Sequence, residues 1–179
     1  TVVTIGILGS FLVIIQLNGA QDGSYAFVII GLIAALGGFL FYNWHPSKLF
    51  MGDTGSMFLG IAVAFLGIKY AWNIQIVDNP LEVPTINKLM LVLVIFILPI
   101  TDTTTVFFKR IMAGRSPMQG GKDHTTHHLF YLGLKERYVA LIYIMISLIS
   151  IFVVLKMVEL IFDWNSFMTL GFGSYFILV

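Results

Sequence analysis

The sequence has no cysteine among its 179 residues, and only 11% of them are charged. Without cysteine the chain can form no disulfide, thiol nucleophile or thiolate-ligated metal site. Few charges together with many Phe, Leu and Ile residues exclude a disordered chain, a collagen-like repeat and a coiled coil. The charged fraction is also well below the roughly 25% of soluble domains. The formal net charge of +1 gives no general attraction to nucleic acid.

Hydrophobic residues are abundant instead, at 58% of the chain. Their long runs lack the polar stripe of a water-soluble helix, and a membrane crossing needs roughly 17–25 helical residues. We therefore predict an all-α, polytopic membrane helix bundle. Its five transmembrane helices would lie near residues 1–17, 25–42, 57–72, 89–108 and 138–155, with a partial sixth at 167–179.

Basic residues indicate the orientation of these spans. Lys48 lies in one connection, and another holds the larger group Lys109, Arg110, Arg115, Lys122, Lys135 and Arg137. The connections that alternate with them are biased toward acids. By the positive-inside rule, the loops 43–56 and 109–137 are predicted to face the cytoplasm.

A first candidate site is the Gly52-Asp53-Thr54-Gly55-Ser56 segment, just before an apolar run. Glycines and free N–H groups at a helix start favour an anion, whereas Asp53 could hold Mg²⁺. The competing interpretation is a plain helix cap formed by Asp53 or Ser56.

A second candidate is Asp102, which follows Pro99 in an apolar segment. If residues 88–110 form one helix, Asp102 lies about 12 Å from its cytoplasmic end, and Pro99 is expected to kink that helix. An acid at this depth indicates either a functional site or a hydrogen bond to a neighbouring helix, helped by the threonines beside it.

A third candidate is a cluster of histidines, His124, His127 and His128, among basic residues. On a helix the three imidazoles would share one face. They could bind a pyrophosphate or transfer protons, hold Zn²⁺, or contact lipid phosphate.

Four motifs in order resemble the polyprenyl-phosphate N-acetylhexosamine-1-phosphate transferase family, in glycosyltransferase family 4. The stretch from Phe50 to Gly60 resembles its phe-met-gly-asp-x-gly-ser signature, and an Asn-x-x-Pro precedes it at Asn43. Pro99 to Thr103 is similar to the Pro-x-x-Asp-Thr of the GlcNAc-type branch. The last two are the Arg-x-x-x-Gly-Arg-Ser-Pro that begins at Arg110 and the histidine motif, here His-Thr-Thr-His-His rather than the commoner His-x-His-His.

The resemblance implies transfer of a HexNAc-1-phosphate from a UDP-sugar to polyprenyl (undecaprenyl) phosphate, with release of UMP, in the bacterial inner membrane. It implies that Asp53 ligates Mg²⁺, or Mn²⁺ in its place, and that His127 and His128 are also catalytic. The implied substrate-binding residues are Asn43, Arg110, Arg115 and His124. Asp102 matches a family position without a stated role.

The family's paired-aspartate and Asp-Gly-x-Asp-Gly motifs should lie upstream and have no counterpart in this sequence. Residues 1–179 are thus expected to be the C-terminal half of a multi-spanning transferase domain, inactive without an N-terminal half. The alternatives are half of a membrane transporter that relays protons or ions through Asp102 and the histidines, or a structural membrane subunit.

Overall fold

The computed structural model describes residues 1–18, 23–44, 46–76, 82–116 and 133–178. The described chain is helical and contains no strand, which confirms the all-α prediction. The helices are α1 (Val2–Leu17), α2 (Gly23–Asn43), α3 (Gly52–Leu66), α4 (Thr85–Ile95), α5 (Ile97–Met112), α6 (Glu136–Glu159) and α7 (Ser166–Leu178). A wide turn of π-helix (Gly67–Trp72) extends α3.

Three helices in the described residues are long and apolar enough to cross a membrane. They are Gly23–Asn43, Gly52–Trp72 and Arg137–Glu159, and the pair α4 and α5 makes a fourth if it is one bent span. Helix α1 is apolar but has only 16 residues, and α7 has 13. The membrane class is therefore confirmed, whereas the predicted count of five full spans is not.

Helix α1 packs along α6 at the centre of the described bundle. Its Leu8, Phe11 and Ile14 are fully buried. A Cβ built on Gly6 would lie 2.6 Å from the Cβ of Ser147 in α6. Glycine at this position therefore lets the two helix backbones approach closely, as small residues do between membrane helices.

Residues 88–110, taken as one helix in the sequence, form parts of two helices, and the distortion expected near Pro99 is present. The helix breaks at Phe96, and α4 and α5 are bent by 76°. Pro99 lies in the first turn of α5, three residues after the break. Because proline has no N–H group, the carbonyl of Ile95 lacks its usual helical donor, and the ring disfavours a straight helix there.

Long-range packing also holds the break. The rings of Phe96 and Phe11 have centroids 6.3 Å apart. The Phe96 ring also lies against Gly67 at the start of the wide turn. The bend therefore depends on a contact between distant parts of the sequence as well as on proline.

Candidate functional site

Asn43 is the last residue of α2 and closes the connection at 44–51. Its Nδ2 donates to the carbonyl of Leu49 at 2.6 Å. The backbone N–H of Lys48 also donates to the carbonyl of Tyr42, at 2.9 Å. The two bonds fold the connection back onto the end of α2. The first of them uses the side chain of Asn43, which the family resemblance assigns to substrate binding.

Asp53 lies in the first turn of α3, directly after Gly52. Gly52 has a φ of +67°, a conformation that glycine adopts without strain. Asp53 is exposed, and its carboxylate accepts no hydrogen bond from the residues described. An exposed carboxylate therefore lies in the first turn of α3 without forming a side-chain cap there.

The plain-cap interpretation of this segment does not hold in the structure. The N-cap position belongs to Met51, which makes no side-chain capping bond. The Oγ of Ser56 donates to the backbone carbonyl of Asp53 at 2.9 Å rather than accepting from the first N–H groups. The first turn of α3 therefore has no side-chain cap from either predicted residue.

The second glycine of the motif makes room for a neighbouring side chain. A Cβ built on Gly55 would lie 2.7 Å from the Cγ of Met51. Met51 is half-buried and packs against the hydrophobic core, so its side chain fastens the start of α3 to the bundle. The two glycines thus have separate roles, one in the backbone turn and one in packing.

Asp102 lies on the inward face of α5. It is half-buried, and Val106 and Arg110, one and two turns further on, are each 8% exposed. The hydroxyls of Thr101, Thr103 and Thr104 donate to carbonyls four residues earlier in α5. These three threonines therefore bond within their own helix. The structural alternative for Asp102 had assumed that they help to bond a neighbouring helix.

The remaining predicted residues are only partly described. Arg110 is buried in the last turn of α5, whereas Arg115 is exposed just beyond it. Residues His124, His127 and His128 lie outside the described ranges, as do Lys122 and Asp123. The structure joins Asn43 and Asp53 in one loop-and-helix unit and Asp102 and Arg110 on one helix face.

The described residues include no group of three or more His, Asp or Glu that could hold a metal ion. Asp53 alone nevertheless suits one mode of Mg²⁺ binding. Magnesium is often held by one or two carboxylates together with waters and substrate phosphates. An exposed carboxylate that accepts no hydrogen bond from the described chain fits that donor set.

Sequence reasoning missed an apolar cavity of about 620 Å³, wide open at the protein surface, at the bend between α4 and α5. Its walls include Gly67, Trp72, Phe96 and Pro99, and one side is formed by Thr103 and Thr104 of α5. Because those hydroxyls donate to backbone carbonyls, the cavity wall presents mainly carbon. Only the proline could have signalled this feature in the sequence.

A profile described as glycosyl transferase family 4 matches residues 1–71. Among curated proteins, the chain is 35% identical over 118 residues to a probable undecaprenyl-phosphate N-acetylglucosaminyl 1-phosphate transferase of Bacillus subtilis. That match covers 66% of this chain and 30% of the relative. No solved structure gives a significant match.

Two further relatives carry related names. A decaprenyl-phosphate N-acetylglucosaminephosphotransferase of Mycolicibacterium smegmatis is 34% identical, with coverage of 70% of this chain and 32% of the relative. A phospho-N-acetylmuramoyl-pentapeptide-transferase of Carboxydothermus hydrogenoformans is 32% identical, with coverage of 82% and 40%. The chain thus spans about a third of the length of the curated relatives it matches.

Proposed function

Since the chain belongs to glycosyl transferase family 4, among the polyprenyl-phosphate N-acetylhexosamine-1-phosphate transferases, we propose that it forms part of such an enzyme. The reaction would move GlcNAc-1-phosphate from UDP-GlcNAc to undecaprenyl phosphate. An oxygen of the lipid phosphate would attack the β-phosphorus, the bond from that phosphorus to the bridging oxygen would break, and UMP would leave. The exposed carboxylate of Asp53 is the observation that carries the proposal.

Asp53 would hold Mg²⁺, or Mn²⁺ in its place, together with phosphate oxygens of the substrates. A bound ion of this kind neutralises charge on phosphoryl oxygens, and such reactions depend mostly on charge neutralisation and positioning. The free N–H groups in the first turn of α3 add an electrostatic field that favours the negatively charged phosphate. The sequence order of Gly52, Asp53 and Gly55 therefore supports a phosphate-metal site at this helix start.

The cavity at the α4–α5 bend supports a lipid substrate. Its volume of about 620 Å³ and its carbon-lined wall suit part of a polyprenyl chain. An isoprenoid tail has no hydrogen-bonding groups, so a wall without free hydroxyl donors does not penalise its binding. The same helix α5 carries Asp102 and Arg110.

The remaining roles rest on the motifs. His127 and His128 would bind and orient the pyrophosphate, with His124 nearby. Arg110 and Arg115 would contact phosphate oxygens, and Asn43 would lie beside the nucleotide. We place this site on the cytoplasmic face of the inner membrane, where nucleotide sugars are found, and assign the missing acidic motifs to an upstream half.

The test measures Mg²⁺-dependent UMP release by the chain joined to an upstream half that carries the acidic motifs. We expect Asp53→Asn and His127→Ala each to lower the rate by at least about 100-fold, because each removes a group that neutralises or positions phosphate. Asp163→Asn is the matched control, since Asp163 is exposed beyond α6. Retained activity in both site variants would refute the site, and proton or ion flux without UMP release would favour a transporter.

A further inference from the structure

We propose that Asn43 is a positioning residue, which fixes the start of α3 and therefore the location of the Asp53 carboxylate. The relevant contact is the 2.6 Å bond from its Nδ2 to the carbonyl of Leu49. The importance of Asp53 rests on the proposed function, whereas the closure of the connection does not. Asn43 would thus act on the reaction through backbone geometry, beyond any contact with a nucleotide.

The middle of the connection, residues 46–50, has no buried side chain. Residues 46–50 are all exposed, and Phe50 is 83% exposed despite its large apolar ring. A segment without buried side chains is ordered mainly by its hydrogen bonds. Among the described residues of the connection, these are the Asn43 bond, the bond from the Lys48 N–H to the Tyr42 carbonyl, and the bond from the Trp44 N–H to the Leu40 carbonyl that continues α2.

The constraint reaches Asp53 through a short piece of backbone. Leu49 precedes Asp53 by four residues, and Met51 between them is packed on the core. Gly52 then turns the chain into α3 with a positive φ. Since glycine also permits many other backbone conformations, holding the chain on both sides of Gly52 selects the one that starts the helix.

The experiment uses spin labels and hydrogen exchange on the cysteine-free chain in nanodiscs, without nucleotide. Thr54→Cys places a single label beside Asp53 on an exposed position. Asn43→Ala removes the donor, and Asn43→Asp removes it while keeping the side chain's size. We expect both variants to increase label mobility at position 54 and to raise amide exchange at 44–51 by roughly twofold to tenfold.

Asn73→Ala is the matched control, because Asn73 is an exposed asparagine that follows the other end of the Gly52–Trp72 helix. It should change neither signal at this site. A residue that only binds nucleotide would also leave both signals unchanged in the ligand-free protein, and that result for Asn43→Ala and Asn43→Asp would overturn the proposal. The measurement requires no turnover, so a failure of UMP release would refute the proposed function separately.

Discussion

The ring of Phe96 lies against Gly67, and a Cβ built on Gly67 would come within 3.0 Å of the Cε2 atom of that ring. This contact joins the break between α4 and α5 to the start of the wide turn after α3. Both residues also line the apolar cavity. The position of α5, with Asp102 and Arg110 on its inward face, therefore depends on a glycine in another helix.

Gly67→Leu should destabilise the fold, because its side chain must displace the Phe96 ring. We expect a loss of about 1–3 kcal/mol in the free energy of unfolding, the usual cost of overpacking. Gly60→Leu is the control, since Gly60 is exposed in the same helix with nothing within 4 Å of its Cβ position. Unfolding followed in detergent should separate the two, and equal stability would contradict the proposed packing.

Pro99→Ala should reduce the bend between α4 and α5, because it restores an N–H donor for the Ile95 carbonyl. Labels at Leu89 and Met112, both exposed, report the bend. At a rise of 1.5 Å per residue, a 76° bend at Phe96 puts these backbones about 28 Å apart, against about 35 Å in a straight helix. Double electron–electron resonance should detect a longer distance between the two spin labels in the Pro99→Ala variant than in the wild type.

The distance in Pro99→Ala also separates two causes of the break. If it stays at the bent value, the contacts of Phe96 with Gly67 and Phe11 are sufficient to hold the bend without proline. Combining Pro99→Ala with Phe96→Ala removes both causes and should then give the longest distance. If the distance in the double variant is no longer than in the wild type, neither Pro99 nor the packing of Phe96 causes the bend.

Gly6→Ala should loosen the contact between α1 and α6, because its Cβ would clash with that of Ser147 at 2.6 Å. We expect a loss of about 1–3 kcal/mol in stability. Ser147→Gly should recover part of it, whereas Ser147→Ala should not, since alanine retains the clashing atom. Gly31→Ala is the control in α2, with nothing within 4 Å, and should not destabilise the protein.

Gly52→Ala should strain the start of α3, because an L-residue at a φ of +67° costs about 1–2 kcal/mol. Gly52→Asn should cost less, since asparagine enters this region more readily. Amide exchange at residues 56–59, whose N–H groups are the first to bond within α3, should rank wild type slowest, asparagine next and alanine fastest. An alanine variant as protected as wild type would show that the helix start does not need this conformation.

The sequence was sufficient to predict the class of fold, whereas the role of the first candidate site stays a prediction. Long uncharged runs identify membrane helices because the bilayer requires them, and Asp53 stands out as an acid between glycines at the edge of such a run. The hydrogen bond from the Asn43 side chain to Leu49 could not be predicted, since its acceptor is a backbone carbonyl and every residue has one.

The break at Phe96 shows a different limit. Pro99 predicted a distortion, but proline disturbs the carbonyl four residues earlier, so the helix ends before the proline. The choice of Phe96 depends on Gly67 and Phe11, which are far away in sequence. The sequence of residues 85–112 alone does not identify packing partners in other helices.

The wide turn at Gly67–Trp72 has a consequence for the family's history. Its last bond runs from the Asn73 N–H to the Ile68 carbonyl, five residues back, so the turn holds one residue more than an α-helical turn. Because the wider turn accommodates the extra residue locally, losing that residue together with the turn would leave an ordinary α-helical end in the same place. Relatives without this turn should therefore show a one-residue gap between positions 67 and 72, with the pattern of apolar residues before it unchanged.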